Sequence, residues 1–266
     1  AGDTILKIDN KPTKDMAIEE AVTHIRGPEG SPVVLTIQRK GVEKAFDVKI
    51  VRAPIVTKAV KTKELEGDLG YIRLTTFMNE NADLEMKEAL MKFSHKKGIV
   101  LDLRGNPGGL LPSAVTIGSM FIKSGPIVQI VDRDGEKESL DAIGKTVIPA
   151  SMPVVVLVDG GSASASEILS GALQDTNRAV LIGTKTFGKG LVQTVHALDG
   201  GSGIAVTTNK YLTARGHDIN QKGITPNIVV ELLKDKKGNY ILPDDKSFRD
   251  TQLDRAIQYL KGKKAA

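Results

Sequence analysis

From about residue 70 onward, short apolar runs alternate with stretches of helical periodicity, and this alternation narrows the available folds more than any other feature. Residues 69–75 read as a strand, and residues 82–93 as a helix of about three turns with Leu84, Met86, Leu90 and Phe93 apolar. Residues 98–103 form a short strand, apolar at Ile99, Val100, Leu101 and Leu103, which suits a parallel strand buried on both faces. A sharp loop, Arg104-Gly105-Asn106-Pro107-Gly108-Gly109, leads into a helix over residues 110–121. Strands follow at 127–132 and 153–158, a helix at 164–173, and strands at 179–183, 191–197 and 204–212. Strands alternating with helices imply an α/β core.

The first 54 residues are patterned differently. A strand and turn over residues 3–10 precede a helix over residues 16–25, with Met16, Ala17, Ala21, Val22 and Ile25 at helical spacing. Gly27-Pro28-Glu29-Gly30 ends it. Two strands, 33–38 and 45–51, are joined by a turn at Lys40-Gly41. The organisation is therefore three segments: 1–54, 55–232, and an extension with a helix over 233–266.

With 266 residues, 40% of them hydrophobic and 26% charged, the chain has the composition of an ordinary globular protein with a sizeable core. Aromatics are 4% and tryptophan is absent, so stacking platforms for bases, and with them a nucleic-acid partner, are not expected. The net charge of +5 is partly terminal, at Lys261, Lys263 and Lys264. It suits a solvated surface and leaves room for peripheral attraction to an anionic membrane. No cysteine is present, which excludes disulfides and thiol catalysis. No run of 18 apolar residues spans a membrane and no signal peptide is read. The chain opens on Ala1-Gly2-Asp3 without methionine, as a fragment or processed form would.

The chemistry concentrates at Gly160-Gly161-Ser162-Ala163-Ser164-Ala165-Ser166-Glu167-Ile168 and at Thr186-Phe187-Gly188-Lys189-Gly190. Three hydroxyls on alternate positions precede a helix, where backbone N–H groups lack partners. Each could be a plain helix cap, Ser162 most readily, and Glu167 suits a capping box with Ser164. A serine is a weak nucleophile without a base. None of His24, His95, His196 and His217 sits in a nucleophile-elbow context, and a lysine can take the base's place. A lysine serves only when neutral, and burial disfavours its charged form. Phe187, Leu191 and Val192 offer an apolar wall for Lys189, and the amide of Gln193 could orient its amine. The N–H of Ala165 is placed to receive an oxyanion, and the Gly108-Gly109 loop is free of Cβ atoms for close approach. Asp102 and Arg104 suit a buried pair that supports this loop. Metal sites are not expected, since neither H-E-x-x-H nor paired cysteines occur.

These segments resemble the carboxyl-terminal processing proteases, or tail-specific proteases, a family of Ser-Lys serine peptidases with a PDZ domain. The resemblance runs over nearly the whole chain. Its spacing of 25 residues from nucleophile to lysine selects Ser164 over Ser162 and Ser166 for Lys189, and its supporting glutamine falls on Gln193. It puts the second oxyanion donor in the glycine loop, with Gly108 favoured and Gly109 the alternative. The implied fold is a ClpP/crotonase-like spiral of β-β-α units behind the later part of a PDZ domain, which A-G-D-x-I-x-x-I-x-x-x-P opens. The earlier, carboxylate-clamping part of that domain is expected to lie outside the chain. A tail-sensing PDZ arginine aligns with Arg26, which also reads as a helix C-terminal cation. Tyr211 to Pro226 matches a family strand and turn, except that Ala214 replaces the usual proline and Asn227 the usual aspartate. The implied activity is endopeptidase cleavage near the carboxyl termini of proteins, without a cofactor. The implied place is the bacterial periplasm or cell envelope, and a homo-oligomer is open. The rival class is a silent crotonase-like scaffold that binds partners through its PDZ module.

Overall fold

The computed structural model describes residues 2–39, 41–54, 57–233 and 249–262. The chain divides into two units, Ala1–Thr57 and Lys58–Ala266.

In the first unit, strands β1 (Thr4–Ile8), β2 (Lys11–Pro12), β3 (Pro32–Gln38) and β4 (Phe46–Val51) form an antiparallel sheet in the order β2-β1-β3-β4, with helix α1 (Ile18–Ile25) between β2 and β3. Ile8, Val33, Leu35 and Ile37 are its buried core. Arg52 ends α1. Its guanidinium donates to the carbonyls of Ile25 (2.8 Å) and His24 (3.0 Å), which have no partner inside the helix. A Cβ on Gly27 would fall 2.8 Å from Arg52 Nε, so glycine makes room for it. The last carbonyls of this helix are thus met by Arg52, while Arg26, the C-cap residue, is itself exposed.

The second unit is built on a six-stranded sheet. Its strands are β5 (Val60–Leu65), β6 (Leu69–Leu74), β7 (Gly98–Asp102), β10 (Val154–Val158), β11 (Val180–Gly183) and β14 (Ile228–Val229), in the order β14-β11-β10-β7-β6-β5. All pairings are parallel except the hairpin β5–β6. A four-stranded antiparallel sheet takes β8 (Pro126–Val131), β9 (Lys137–Asp141), β12 (Leu191–Ala197) and β13 (Gly203–Leu212), in the order β12-β13-β8-β9. Helices α2 (Ala82–Lys92), α3 (Leu111–Ser119), α4 (Ala165–Asp175) and α5 (Thr251–Gly262) complete it.

Strands β7 and β10 are buried at every position, as continuous apolar runs require. Alternate residues face opposite layers. Ile99, Leu101, Val154, Val156 and Val158 pack with residues of α2, α3 and α4 in the main core. Val100, Val155 and Leu157 pack with Ala256 and Leu260 of α5 on the other face. The helix expected in the C-terminal extension therefore covers one side of the sheet, while residues 234–248 of that extension lie outside the described residues.

Among the described residues four strands escaped sequence reasoning, the two-residue β2 and three in the second unit. β5 reads V-K-T-K-E-L with four exposed residues and looks like solvated surface; among the described residues it is an edge strand paired only to β6. β9, K-E-S-L-D, is likewise a charged edge, and β14 has two residues. Asn227, where an aspartate was expected, supplies the acceptor the turn needs: its Oδ1 takes the Leu181 N–H at 2.9 Å.

Arg104 joins α5 to the end of β7. Its guanidinium lies 2.7 Å from Asp102 Oδ2 and 2.8 Å from Asp250 Oδ2, and Tyr71 donates to the same Asp102 oxygen at 2.6 Å. Asp250 also accepts the Leu253 N–H at 3.0 Å and so caps α5. Burial pushes the Asp250 carboxyl up, but the hydrogen bonds and charge of Arg104, with two backbone N–H groups, outweigh it and hold it below the ordinary value of 3.8. A carboxyl whose pKa is lower in the folded state contributes stability above its unfolded pKa and loses it as pH falls through the folded one. The stability difference between the native protein and Asp250→Asn, measured by urea unfolding, should therefore be full at pH 6–7 and shrink below pH ~4. A difference constant down to pH 3 would show that the Asp250 charge contributes nothing.

Candidate active site

The loops after β7, β10 and β11 lie at the carboxyl ends of neighbouring parallel strands, where open α/β sheets form their crevices. The loop after β10 brings Ser164 to the N-cap of α4, with φ 55° and ψ −116°. Left-handed φ is costly for a residue with a Cβ, and it persists only where the surroundings over-determine it. The surroundings here are specific. Asp159 Oδ1 accepts the N–H groups of Gly105 and Gly161, both at 2.9 Å, and ties the β7 and β10 loops together. Ser162 is not a cap. Its buried hydroxyl donates to Leu103 O (2.9 Å) and accepts from Asp159 N (3.0 Å).

Glu167 is fully buried and joins the serine to the lysine loop. Its Oε2 accepts the N–H of Ser164 at 3.0 Å and the N–H of Lys189 at 2.9 Å. Its Oε1 accepts Thr186 Oγ1 at 2.5 Å and the Gly188 N–H at 2.8 Å. The expected capping role is therefore one part of a larger one. A single carboxylate fixes the backbones of residues 164 and 189, 25 positions apart.

The glycine loop is set by Asn106, also fully buried. Its Nδ2 donates to Leu74 O at 2.9 Å, and its Oδ1 accepts the Gly108 N–H at 2.9 Å. Gly108 (φ 96°) packs so closely on the serine turn that a Cβ would lie 2.8 Å from Ser164 Cβ and 2.9 Å from Ala165 N. A Cβ on Gly109 (φ 145°) would come within 2.4 Å of the Phe77 backbone. With the Gly108 N–H taken by Asn106, Gly109 is the loop residue that lines the cleft. Asn106 escaped sequence reasoning; the only signal was a polar residue that the loop and the strand ends enclose.

The cleft, about 360 Å³, gathers Ser164, Ala165, Lys189, Gln193, Gly109 and Tyr211. Leu111, Ile168, Leu191 and Val192 give it apolar walls. Phe187, expected in that wall, points elsewhere and is 66% exposed. Lys189 is exposed rather than buried, because Gly188 and Gly190 pack their backbones against residues 220–223 and leave the side chain at the mouth. Gln193 is exposed at the start of the β12–β13 hairpin, beside a register shift between Val192 and Gln193. Arg26 belongs to the first unit.

The model of peptidase family S41 matches residues 68–230, which include all of these loops. The chain belongs to this family. It is 46% identical over 242 residues to a "Carboxy-terminal-processing protease" of Bartonella bacilliformis, covering 87% of this chain and 54% of the relative. It is 40% identical over 263 residues to a "Probable CtpA-like serine protease" of Staphylococcus aureus, covering 97% of this chain and 52% of the relative. The chain thus spans about half the length of the curated relatives it matches. Among solved structures, the photosystem II D1 C-terminal processing protease is similar at a TM-score of 0.61 with 35% identity, covering 90% of this chain and 66% of that one.

Glu167 yields a direct test within this S41 fold. In Glu167→Gln an amide NH₂ would face N–H and O–H donors, leaving buried groups unpaired at about 1–3 kcal/mol each. Urea unfolding should show a loss of about 3 kcal/mol or more, and amide hydrogen exchange at residues 188 and 189 should accelerate. Unchanged exchange there would refute the carboxylate's hold on the lysine loop.

Proposed function

We propose that the chain is the core of a serine endopeptidase that cleaves proteins near their carboxyl termini. The observation that carries this reading is Ser164, held in a strained conformation at the mouth of α4 and facing one cleft with Lys189. Strain of this kind on a strand-to-helix turn presents a nucleophile outward. Ser164 Oγ attacks the substrate carbonyl carbon, and its proton passes to the Lys189 amine. The carbonyl oxygen becomes an oxyanion, which the N–H groups of Ala165 and Gly109 stabilise. Gly109 takes the part expected of Gly108, whose N–H already serves Asn106. Each such donor is typically worth about 3 kcal/mol in the transition state. Lys189 then protonates the leaving amine nitrogen, and water releases the acyl group in a second round. Gln193 orients the amine.

The exposure of Lys189 assigns a further task to the substrate. A peptide lying in the cleft would displace water from the lysine, so the base becomes desolvated only when there is something to cut. The names of the relatives support processing at carboxyl ends. The first unit, with its sheet and one helix, serves as the later part of a PDZ module that captures the tail, with Arg26 as its sensor. For the second unit we infer the ClpP/crotonase-like spiral of strand-strand-helix units that the sequence resemblance implies. No helix among the described residues is long and apolar enough to cross a membrane. The family resemblance favours the bacterial cell envelope.

Ser164→Ala and Lys189→Ala in the full-length protein should each abolish cleavage of an unfolded reporter with a free carboxyl tail. Loss should be at least ~10³-fold with thermal stability retained. Lys189→Arg should be equally inactive, since a guanidinium stays protonated. A Ser164→Ala protein as active as the native one would exclude the reading, and an active Lys189→Arg would exclude lysine as the base.

A further inference from the structure

Tyr211 is the one buried side chain among the described residues that keeps a polar atom without a hydrogen bond. The residue is 2% exposed, near the end of β13, yet it lines the cleft beside Ser164 and Lys189. Its backbone is held on both sides. Tyr211 N donates to Gly190 O at 3.0 Å, next to Lys189, and the strand pairs Tyr211 with Ile130. A buried hydroxyl normally finds a partner, because leaving it unsatisfied forfeits its hydration for nothing. Phenylalanine would fill the same space without that penalty.

The surroundings of the phenol point to one partner. Ser164 lines the same cleft, and its hydroxyl draws the phenol's pKa down against the effect of burial, although no hydrogen bond between the two is formed here. Burial pushes the phenol far above its ordinary range, and the Glu167 carboxylate adds to this. Tyr211 is therefore a neutral donor at any working pH. A serine hydroxyl has one proton and two lone pairs. If Tyr211 donates into one lone pair, the serine proton is left to face Lys189 and the other lone pair is left to attack.

We propose that Tyr211 is a positioning residue, whose phenol donates a hydrogen bond to Ser164 Oγ in the assembled site and so sets the rotamer from which the serine reacts. No proton leaves the tyrosine and no bond to it forms or breaks. The inference rests on the peptidase reading above for its kinetic part, and on the unsatisfied phenol in the cleft that Ser164 also lines for the contact.

The test uses the full-length protein carrying ¹³Cζ-tyrosine, with the Tyr211 signal identified by its loss in Tyr211→Phe. Ser164→Ala should shift that signal and leave the other tyrosines unmoved, whether or not the protein is a peptidase. On an unfolded reporter protein with a free carboxyl tail, Tyr211→Phe should lower kcat about tenfold. KM should stay within about twofold, and Tm should be equal or higher, since in the resting protein the hydroxyl has no partner to lose. A purely structural tyrosine would leave kcat untouched or lower Tm with it, and either result overturns the proposal. A change confined to KM would make Tyr211 a substrate contact and also overturns it. Should the native protein cleave no better than Ser164→Ala, the peptidase reading fails and the carbon signal alone decides: an unmoved Tyr211 resonance overturns the contact. The same signal decides if Tyr211→Phe does not fold, with the assignment then made from Tyr211→Trp.

Discussion

The buried carboxylate of Glu167 is the interaction on which the site depends. It is deep in the protein, and four donors from two separate stretches of chain surround it. A buried charge without such partners would be heavily penalised, so the donors and the carboxylate enforce one another. The loop after β11 reaches the serine turn because its N–H groups have nowhere better to go. The strained backbone of Ser164 is one result, since its N–H is drawn onto the carboxylate while its carbonyl starts the helix. The lysine's place at the mouth of the cleft is another.

A second set of charges performs the same task behind the sheet. Asp102 at the end of β7 and Asp250 at the start of α5 share Arg104, whose own N–H also bonds Asp102 Oδ1 at 2.9 Å. The glycine loop starts one residue later. The helix that seals the second face of the sheet is thus fastened at the base of the loop that bears Gly108 and Gly109. Packing of α5 and placement of the loop are one cooperative matter.

The sequence carried much of this in legible form. Continuous apolar runs announced β7 and β10, because strands covered on both faces have no polar side to confuse the pattern. Edge strands β5 and β9 were illegible for the opposite reason, since charged residues are what an edge needs against unwanted pairing. Ser164, Lys189, Gln193 and Ala165 were singled out by motif and by the family resemblance, and the fold brings all four to one cleft. The N–H partner of Gly108 was not legible, because it depends on a side chain, Asn106, that reaches two residues forward along its own loop. Nor was the exposure of Lys189: apolar neighbours in sequence wall one side of a cleft without closing it. Tyr211, 22 residues beyond Lys189, looked like part of a strand and no more, and only the pairing of β12 with β13 carries it to the serine.

The conformation of Ser164 sets two demands on position 164 against each other. Glycine would occupy φ 55° and ψ −116° at no steric cost, and the backbone of the whole turn would rest more easily. The fold carries a side chain there instead and meets the expense through Glu167, Asp159 and Asn106. A search for more thermostable variants that scored only the folded state would select glycine at this position and discard the hydroxyl.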